Sequence, residues 1–177
     1  QEAPLHPSDF ARSLDDKTDD GDHKIFFTNG KSDRPFVVQK YQDTFEEVLG
    51  SAETLNFIGM DWGDEHATTL AKALRQCVRL RDLMLGSNHI GDLGAAALAE
   101  TLPQIPNLRD LELGKNRIGD RGAESLAQAV AKCQKLQFLD LQNNKVMSGR
   151  GAKHLSEAWF SSAKPEANLT RKKGLFF

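Results

Sequence analysis

The sequence predicts an α/β fold: a short solenoid of about four strand-helix repeats, with parallel strands on the concave face. Three observations predict it. A block opening LRDLMLGSNHIG at Leu80 returns as LRDLELGKNRIG at Leu108 and as LQFLDLQNNKVM at Leu136, 28 residues apart each time. Within a block the apolar residues first alternate, as in Leu83-Met84-Leu85, and then recur at helical spacing, as in Ala95, Leu98, Ala99 and Leu102. Alternation marks a strand with one buried face, and the longer period marks a helix with one buried stripe. Stepping back 28 residues from Leu83, Leu85, Gly91, Asp92, Leu98 and Leu102 lands on Leu55, Phe57, Gly63, Asp64, Leu70 and Leu74, so a degraded first copy starts near Ala52. A fixed period of this size signals stacked repeats, each burying its apolar face against the next.

The elements follow in order. Residues 1–24 hold seven acids and three bases, a net charge of 3 − 7 = −4, and read as an acidic arm without a core of its own. Residues 25–51 are expected to cover the open N-terminal end. KIFF and PFVVQ flank Thr28-Asn29-Gly30-Lys31, whose Asn-Gly step favours a hairpin, and Tyr41, Phe45, Val48 and Leu49 lie at helical spacing just before the first strand. The repeats occupy residues 52–160, with strands expected near 54–58, 82–86, 110–114 and 138–142. Asp64, Asp92 and Asp120 stand where an N-cap is needed, and Ser148 replaces them in the fourth copy, where one residue is inserted before Gly151. Asn88, Asn116 and Asn144 close the strands as structural residues, because an amide side chain can satisfy the turning backbone of its own and the neighbouring copy. Residues 161–177 form a basic C-terminal tail with an apolar end. Leu169 could begin a fifth copy, but Lys172 and Gly174 take the places of its next two leucines, so the array is expected to stop.

These residues carry a resemblance. The pattern L-x-x-L-x-L-x-x-N followed by I-G-D-x-G-A-x-x-L resembles the leucine-rich repeat, and the 28-residue length with a full helix is similar to its ribonuclease-inhibitor-like class. The resemblance covers about residues 52–160. It implies a curved solenoid with strands inside and helices outside, and members that mostly bind other proteins.

Composition and motifs exclude most other functions. The chain of 177 residues has 23 Lys and Arg against 25 Asp and Glu, a net charge of −2, which gives no electrostatic reason to bind nucleic acid. No apolar run approaches the roughly 18 residues of a membrane span. Cys77 and Cys133 lie two full periods apart and are expected to be too distant to bridge. His6, His23, His66, His89 and His154 show no ligand spacing, so no metal is expected. Between Asp15 and Asp22 the acids alternate as in a calcium loop, but Phe27 stands where the bidentate Glu belongs and His23 where an apolar residue belongs. Neither a phosphate loop nor a nucleophile elbow occurs, so no enzyme activity, cofactor or small-molecule substrate is expected. Asn168 lies in a glycosylation sequon, which has meaning only in a secreted protein. An intracellular location is favoured, in the cytoplasm or in an organelle after removal of a targeting segment.

Function is expected on two surfaces. With Leu83 and Leu85 inward, the concave face presents Ile58, Asp82, Met84, Asp110, Glu112, Phe138 and Asp140, a mixture of carboxylates and apolar groups suited to a partner segment with bases and apolar side chains. The competing reading is that Arg81 and Arg109 simply offset the stacked Asp82 and Asp110. The second surface is the tail, where Arg171, Lys172 and Lys173 precede Gly174 and the chain ends in Leu175, Phe176 and Phe177. These residues either dock on a partner or fold back to cover the solenoid's own end. The expected function is a non-catalytic protein-interaction module, a structural or accessory subunit held by one or more proteins of a larger complex. The alternative, suggested only by the shared repeat, is a regulator of a small GTPase.

Overall fold

The computed structural model describes residues 2–19, 33–144, 147–162 and 174–176. Its centre is a parallel sheet in which β1 (Thr54–Asn56), β2 (Asp82–Met84), β3 (Asp110–Glu112) and β4 (Phe138–Asp140) lie side by side in chain order. Their register is that of the repeat: Leu55, Leu83, Leu111 and Leu139 are direct partners. The strands are shorter than expected, yet the hydrogen bonding continues past them. Leu85 N donates to Glu112 O at 2.8 Å and Ser87 N to Gly114 O at 2.9 Å, with Leu113 and Lys115 repeating the pattern one copy on.

Each strand is followed by a helix on one side of the sheet, namely α3 (Asp64–Leu74), α4 (Asp92–Thr101), α5 (Asp120–Val130) and α6 (Gly149–Ser161). Between sheet and helices lies a core of Leu80, Leu83, Leu85, Ile90, Leu98 and Leu102, with Leu108, Leu111, Leu113, Ile118, Leu126 and Val130 one copy on, all of them buried, while Leu55 and Phe57 of the first copy are partly buried. The first copy closes the array with aromatic residues. Trp62 takes the place of Ile90 and Phe57 that of Leu85, their rings 4.6 Å apart, and Trp62 is 1% exposed.

The asparagines join adjacent copies. Asn116 Oδ1 accepts from Ile90 N at 3.0 Å, and its Nδ2 donates to Leu85 O at 2.9 Å and to Leu113 O at 3.0 Å. Asn88 makes the same contacts to Trp62 N, Phe57 O and Leu85 O, and Asn144 to Ile118 N, Leu113 O and Leu141 O.

The aspartates do a different job from the one expected. The N-caps of α3, α4 and α5 are Gly63, Gly91 and Gly119, with no side-chain cap within the helix. Asp64 instead reaches forward one copy, where its Oδ1 accepts from Gly91 N at 2.7 Å and Gly94 N at 2.9 Å. Asp92 serves Gly119 and Gly122 in the same way, and Asp120 serves Ser148 and Gly151. Each carboxylate thus satisfies free amides at the start of the next helix, where a negative charge is also favoured. The close approach explains a glycine: a Cβ on Gly94 would lie 2.7 Å from Asp64 Oδ1, and one on Gly122 2.7 Å from Asp92 Oδ1. Twenty-eight residues before Asp64 stands Phe36 rather than an aspartate, and in the first copy the glycine's position holds His66, whose ring stacks on Trp62 at 5.8 Å. In the fourth copy Ser148 is the N-cap of α6 as expected, its Oγ accepting from Arg150 N at 3.2 Å, and Gly149 stands at the first helical position that the aspartates hold in the other copies.

The N-terminal end departs from the expectation twice. PFVVQ is not a strand: α2 runs Asp33–Ser51 and includes it, because Pro35 falls in the first turn, where its missing N–H breaks no helical hydrogen bond. The other half of the expected hairpin, KIFF and its turn, lies outside the described residues. The acidic arm is not without structure either, since α1 spans Pro7–Asp19. Its apolar residues supply the reason. Ala3 and Leu14 are buried, Phe10 stacks on Tyr41 with ring centres 3.9 Å apart, and Tyr41 Oη donates to Leu5 O at 2.8 Å. Asp9 pairs with Lys72 of α3 at 2.9 Å, and this hydrogen bond holds the Asp9 carboxyl below its ordinary range. Behind α1, Phe45 and Leu49 of α2 join the core.

At the other end the repeat array stops after α6, but the sheet does not. A fifth strand, β5 (Gly174–Phe176), pairs parallel with β4, and Leu175 is the partner of Leu139. Its offset from β4 is 174 − 138 = 36 residues rather than 28, so repeat spacing could not reveal it. Arg171, Lys172, Lys173 and Phe177, like Asn168, lie outside the described residues.

Candidate functional site on the open face of the sheet

The repeat fixes one face of the sheet and leaves the other to choice. Leu83, Leu111 and Leu139 point into the core, so their neighbours form rows across the opposite face. The first row is Thr54, Asp82, Asp110 and Phe138, and the second is Asn56, Met84, Glu112 and Asp140. One step further the chain supplies Ile58, Gly86, Gly114 and Gln142. All seven residues expected on the concave face therefore lie together on it, half-buried except for Ile58, which is 45% exposed.

The charges on this face are concentrated. Asp82 and Asp110 are direct partners across β2 and β3, and Glu112 and Asp140 across β3 and β4. Burial pushes the Glu112 carboxyl above its ordinary range, and the negative charges of Asp140, Asp110 and Asp82 push it further. Arg81 does not offset Asp82: its guanidinium pairs with Glu53 at 3.1 Å. Among the described residues Asp82, Glu112 and Asp140 form no ion pair, and neither does Arg109. Their hydrogen bonds are local. Thr54 Oγ1 donates to Asp82 Oδ2 at 2.9 Å, and Gln142 N to Asp140 Oδ1 at 2.8 Å.

Beside the carboxylates the face is hollow. Gly86 and Gly114 occupy the middle of the third row without side chains, leaving a cavity of about 160 Å³ between Ile58 and Gln142, with Glu112 and Asp140 along it and Lys115 at its edge. A Cβ on Gly114 would lie 2.9 Å from Asp140 Oδ2, so this glycine also makes room for the carboxylate. Both glycines were visible in the sequence as members of the face. Their joint effect follows only from the register that sets them side by side.

Cys77 and Cys133 are buried thiols outside any disulfide, and burial raises the Cys77 thiol to about 11, far from a reactive thiolate. Among the described residues no group of histidine, cysteine or carboxylate side chains could hold a metal ion, and no helix is long and apolar enough to cross a membrane.

Comparison with known proteins agrees with the architecture. The leucine-rich repeat family matches residues 76–99, 104–127 and 132–156, consecutive copies beginning with the second. Among solved structures, leiomodin-1 actin-binding site 2 superposes with a TM-score of 0.59 at 18% identity, covering 66% of this chain and 68% of that one. The Caenorhabditis elegans tropomodulin C-terminal domain superposes with a TM-score of 0.52 at 17% identity, covering 68% and 89%. No curated protein matches the sequence. The strand-helix copies thus stand in one register, and residues 76–156 of the chain carry three consecutive leucine-rich repeats.

Proposed function

We propose that this protein is a non-catalytic interaction module of the ribonuclease-inhibitor-like type, an accessory subunit that holds a basic, partly apolar segment of another protein on the open face of its sheet. The observation that carries the reading is the cluster of carboxylates on that face, of which Asp82, Glu112 and Asp140 form no ion pair among the described residues. Apolar groups sit beside them, Met84 in the middle of the face and Ile58 and Phe138 toward its sides. Charge of one sign on a half-buried surface favours a partner of the other sign and penalises its competitors. Larger apolar side chains among the charges supply the area that gives an interface its affinity.

The test is co-purification of the full chain with its partners from the native source. A partner retained by the wild type should be lost from a variant carrying Asp82→Asn, Asp110→Asn, Glu112→Gln and Asp140→Asn. It should be kept by a variant of the helical side such as Glu100→Gln with Lys132→Gln. Equal retention by both variants would remove the open face from the interaction. Leiomodin-1 is described by its actin-binding site, so actin is a suitable first protein to include. The likeness at 18% identity concerns the fold, and actin binding by this chain is a matter for that assay.

A further inference from the structure

The geometry points to a built subsite within the open face: the glycine-floored cavity between β2 and β4 takes one arginine side chain of the partner, its guanidinium held by Glu112 and Asp140. This rests on the reading of the open face as the interaction surface, and it names what that surface selects. Three features converge on arginine. Glu112 and Asp140 are direct partners on adjacent parallel strands, so their Cα atoms are separated by one strand spacing, about 4.8 Å. A planar group with several N–H donors can bridge two carboxylates at that spacing, whereas a lysine ammonium acts as a single point charge. Gly86 and Gly114 leave a floor of bare backbone, against which a flat guanidinium and its aliphatic stem can lie, and Ile58 offers that stem an apolar wall. The cavity of about 160 Å³ is open to the surface, so a side chain can enter without rearrangement of the sheet. Among the described residues that line it the cation is Lys115, which is exposed and pairs with neither carboxylate, so these lining residues carry a negative balance.

The floor also supplies the test. A Cβ on Gly86 would meet only Gly114 O, at 3.4 Å, and the backbone there is not left-handed, so Gly86→Val fills the cavity without forcing the strand. The full isotope-labelled chain is titrated with N-acetyl-arginine methylamide and, separately, with its citrulline analogue, which has the same shape and no charge. The expected result is saturable shifts of the Gly86, Gly114 and Asp140 amides with the arginine probe, at least fivefold weaker binding of the citrulline probe, and at least fivefold weaker arginine binding by both Gly86→Val and Glu112→Gln. Equal affinity for the two probes, or unchanged affinity in either folded variant, would overturn the assignment. If Gly86→Val fails to fold, Glu112→Gln decides alone. Should the arginine probe bind elsewhere while the charge-neutralised face still loses its protein partner, the subsite fails and the interaction surface stands. Failure of the surface itself would show in the co-purification, independently of any probe.

Discussion

Asn116→Ala tests whether the asparagine column binds the copies into one stack, and the hydrogen-bond geometry fixes what the substitution removes. Asn116 is 6% exposed and makes well-formed bonds to Ile90 N, Leu85 O and Leu113 O. The two carbonyls are not orphaned by its loss, because Asn88 Nδ2 still donates to Leu85 O at 3.0 Å and Asn144 Nδ2 to Leu113 O at 3.0 Å. The Ile90 amide has no such reserve. One buried donor left unsatisfied costs about 1–3 kcal/mol, so the variant should lose roughly 2 kcal/mol. For a chain of this size that corresponds to a fall of about 4–8 °C in melting midpoint. Urea denaturation followed by circular dichroism measures the loss, and hydrogen exchange at Ile90 locates it. Asn88→Ala should cost more, since Phe57 O has Asn88 Nδ2 as its donor and would be orphaned together with the Trp62 amide. An Asn116→Ala midpoint equal to that of the wild type, or Ile90 protection unchanged, would refute the argument.

Further outcomes follow from the same geometry. Asp92→Ala should destabilise by about 1 kcal/mol, as loss of a helix N-cap does; Gly122→Ala should also destabilise, and the double variant should lose less than the sum because the added Cβ collides with Asp92 Oδ1 itself. Cys77, its thiol raised to about 11 by burial, should react with a thiol reagent at neutral pH only at the rate of unfolding; rapid labelling of the native chain would contradict this. Glu112 has a folded pKa above its unfolded one, so the folded state is favoured below the unfolded value and loses that advantage as pH rises through the folded value. Glu112→Gln should therefore raise the melting midpoint at pH 7 and change it little in acid, a difference read from melts across the pH range. Asp9 has the opposite sign: its lowered pKa contributes stability above the unfolded value that fades as pH falls through the folded one, and Asp9→Asn should abolish that part of the acid dependence. Deleting residues 174–177 removes a strand from the edge of β4 and should lower the midpoint of the isolated chain; no change would show that β5 contributes nothing to stability.

Where a residue repeats at 28-residue spacing, its place could be read from the sequence. The strands, helices, leucine core and composition of the open face all follow from that register. What one copy does to the next was harder to see. Asp64 precedes α3 in sequence but serves Gly91 and Gly94 of the following copy, a contact no propensity within one helix can report. One signal was present: glycine stands at 94, 122 and 151, whereas the first copy, with Phe36 rather than an aspartate one period behind Asp64, carries His66. The ends lack the repeat and were read from local pattern alone. There the Asn29-Gly30 step makes PFVVQ read as the second strand of a hairpin, and the decisive fact, that Pro35 sits in a first helical turn, depends on where α2 begins. The acidic composition of α1 hid its few anchors, Leu14 and Phe10, whose partners lie on another helix.

The open face also shows where this sequence departs from what stability alone would choose. The leucines of the buried face are dictated by the stack, whereas the open face gathers carboxylates at 82, 110, 112 and 140. Like charges on adjacent strands are destabilising, and the raised Glu112 carboxyl shows that the four sense one another. A neutral residue at any of these positions would fit the same strand. This repulsion lowers the stability of the free protein at neutral pH, and on the proposed reading a basic partner segment restores it. A bound basic segment neutralises the cluster, and binding to the folded state alone stabilises it by an amount that grows with ligand concentration relative to the dissociation constant. The melting midpoint of the wild type should then rise with added arginine-containing peptide while that of Glu112→Gln, already relieved of the repulsion, starts higher and rises less. A common slope in the two proteins would mean that the acidic face is a solvated surface with no ligand of its own.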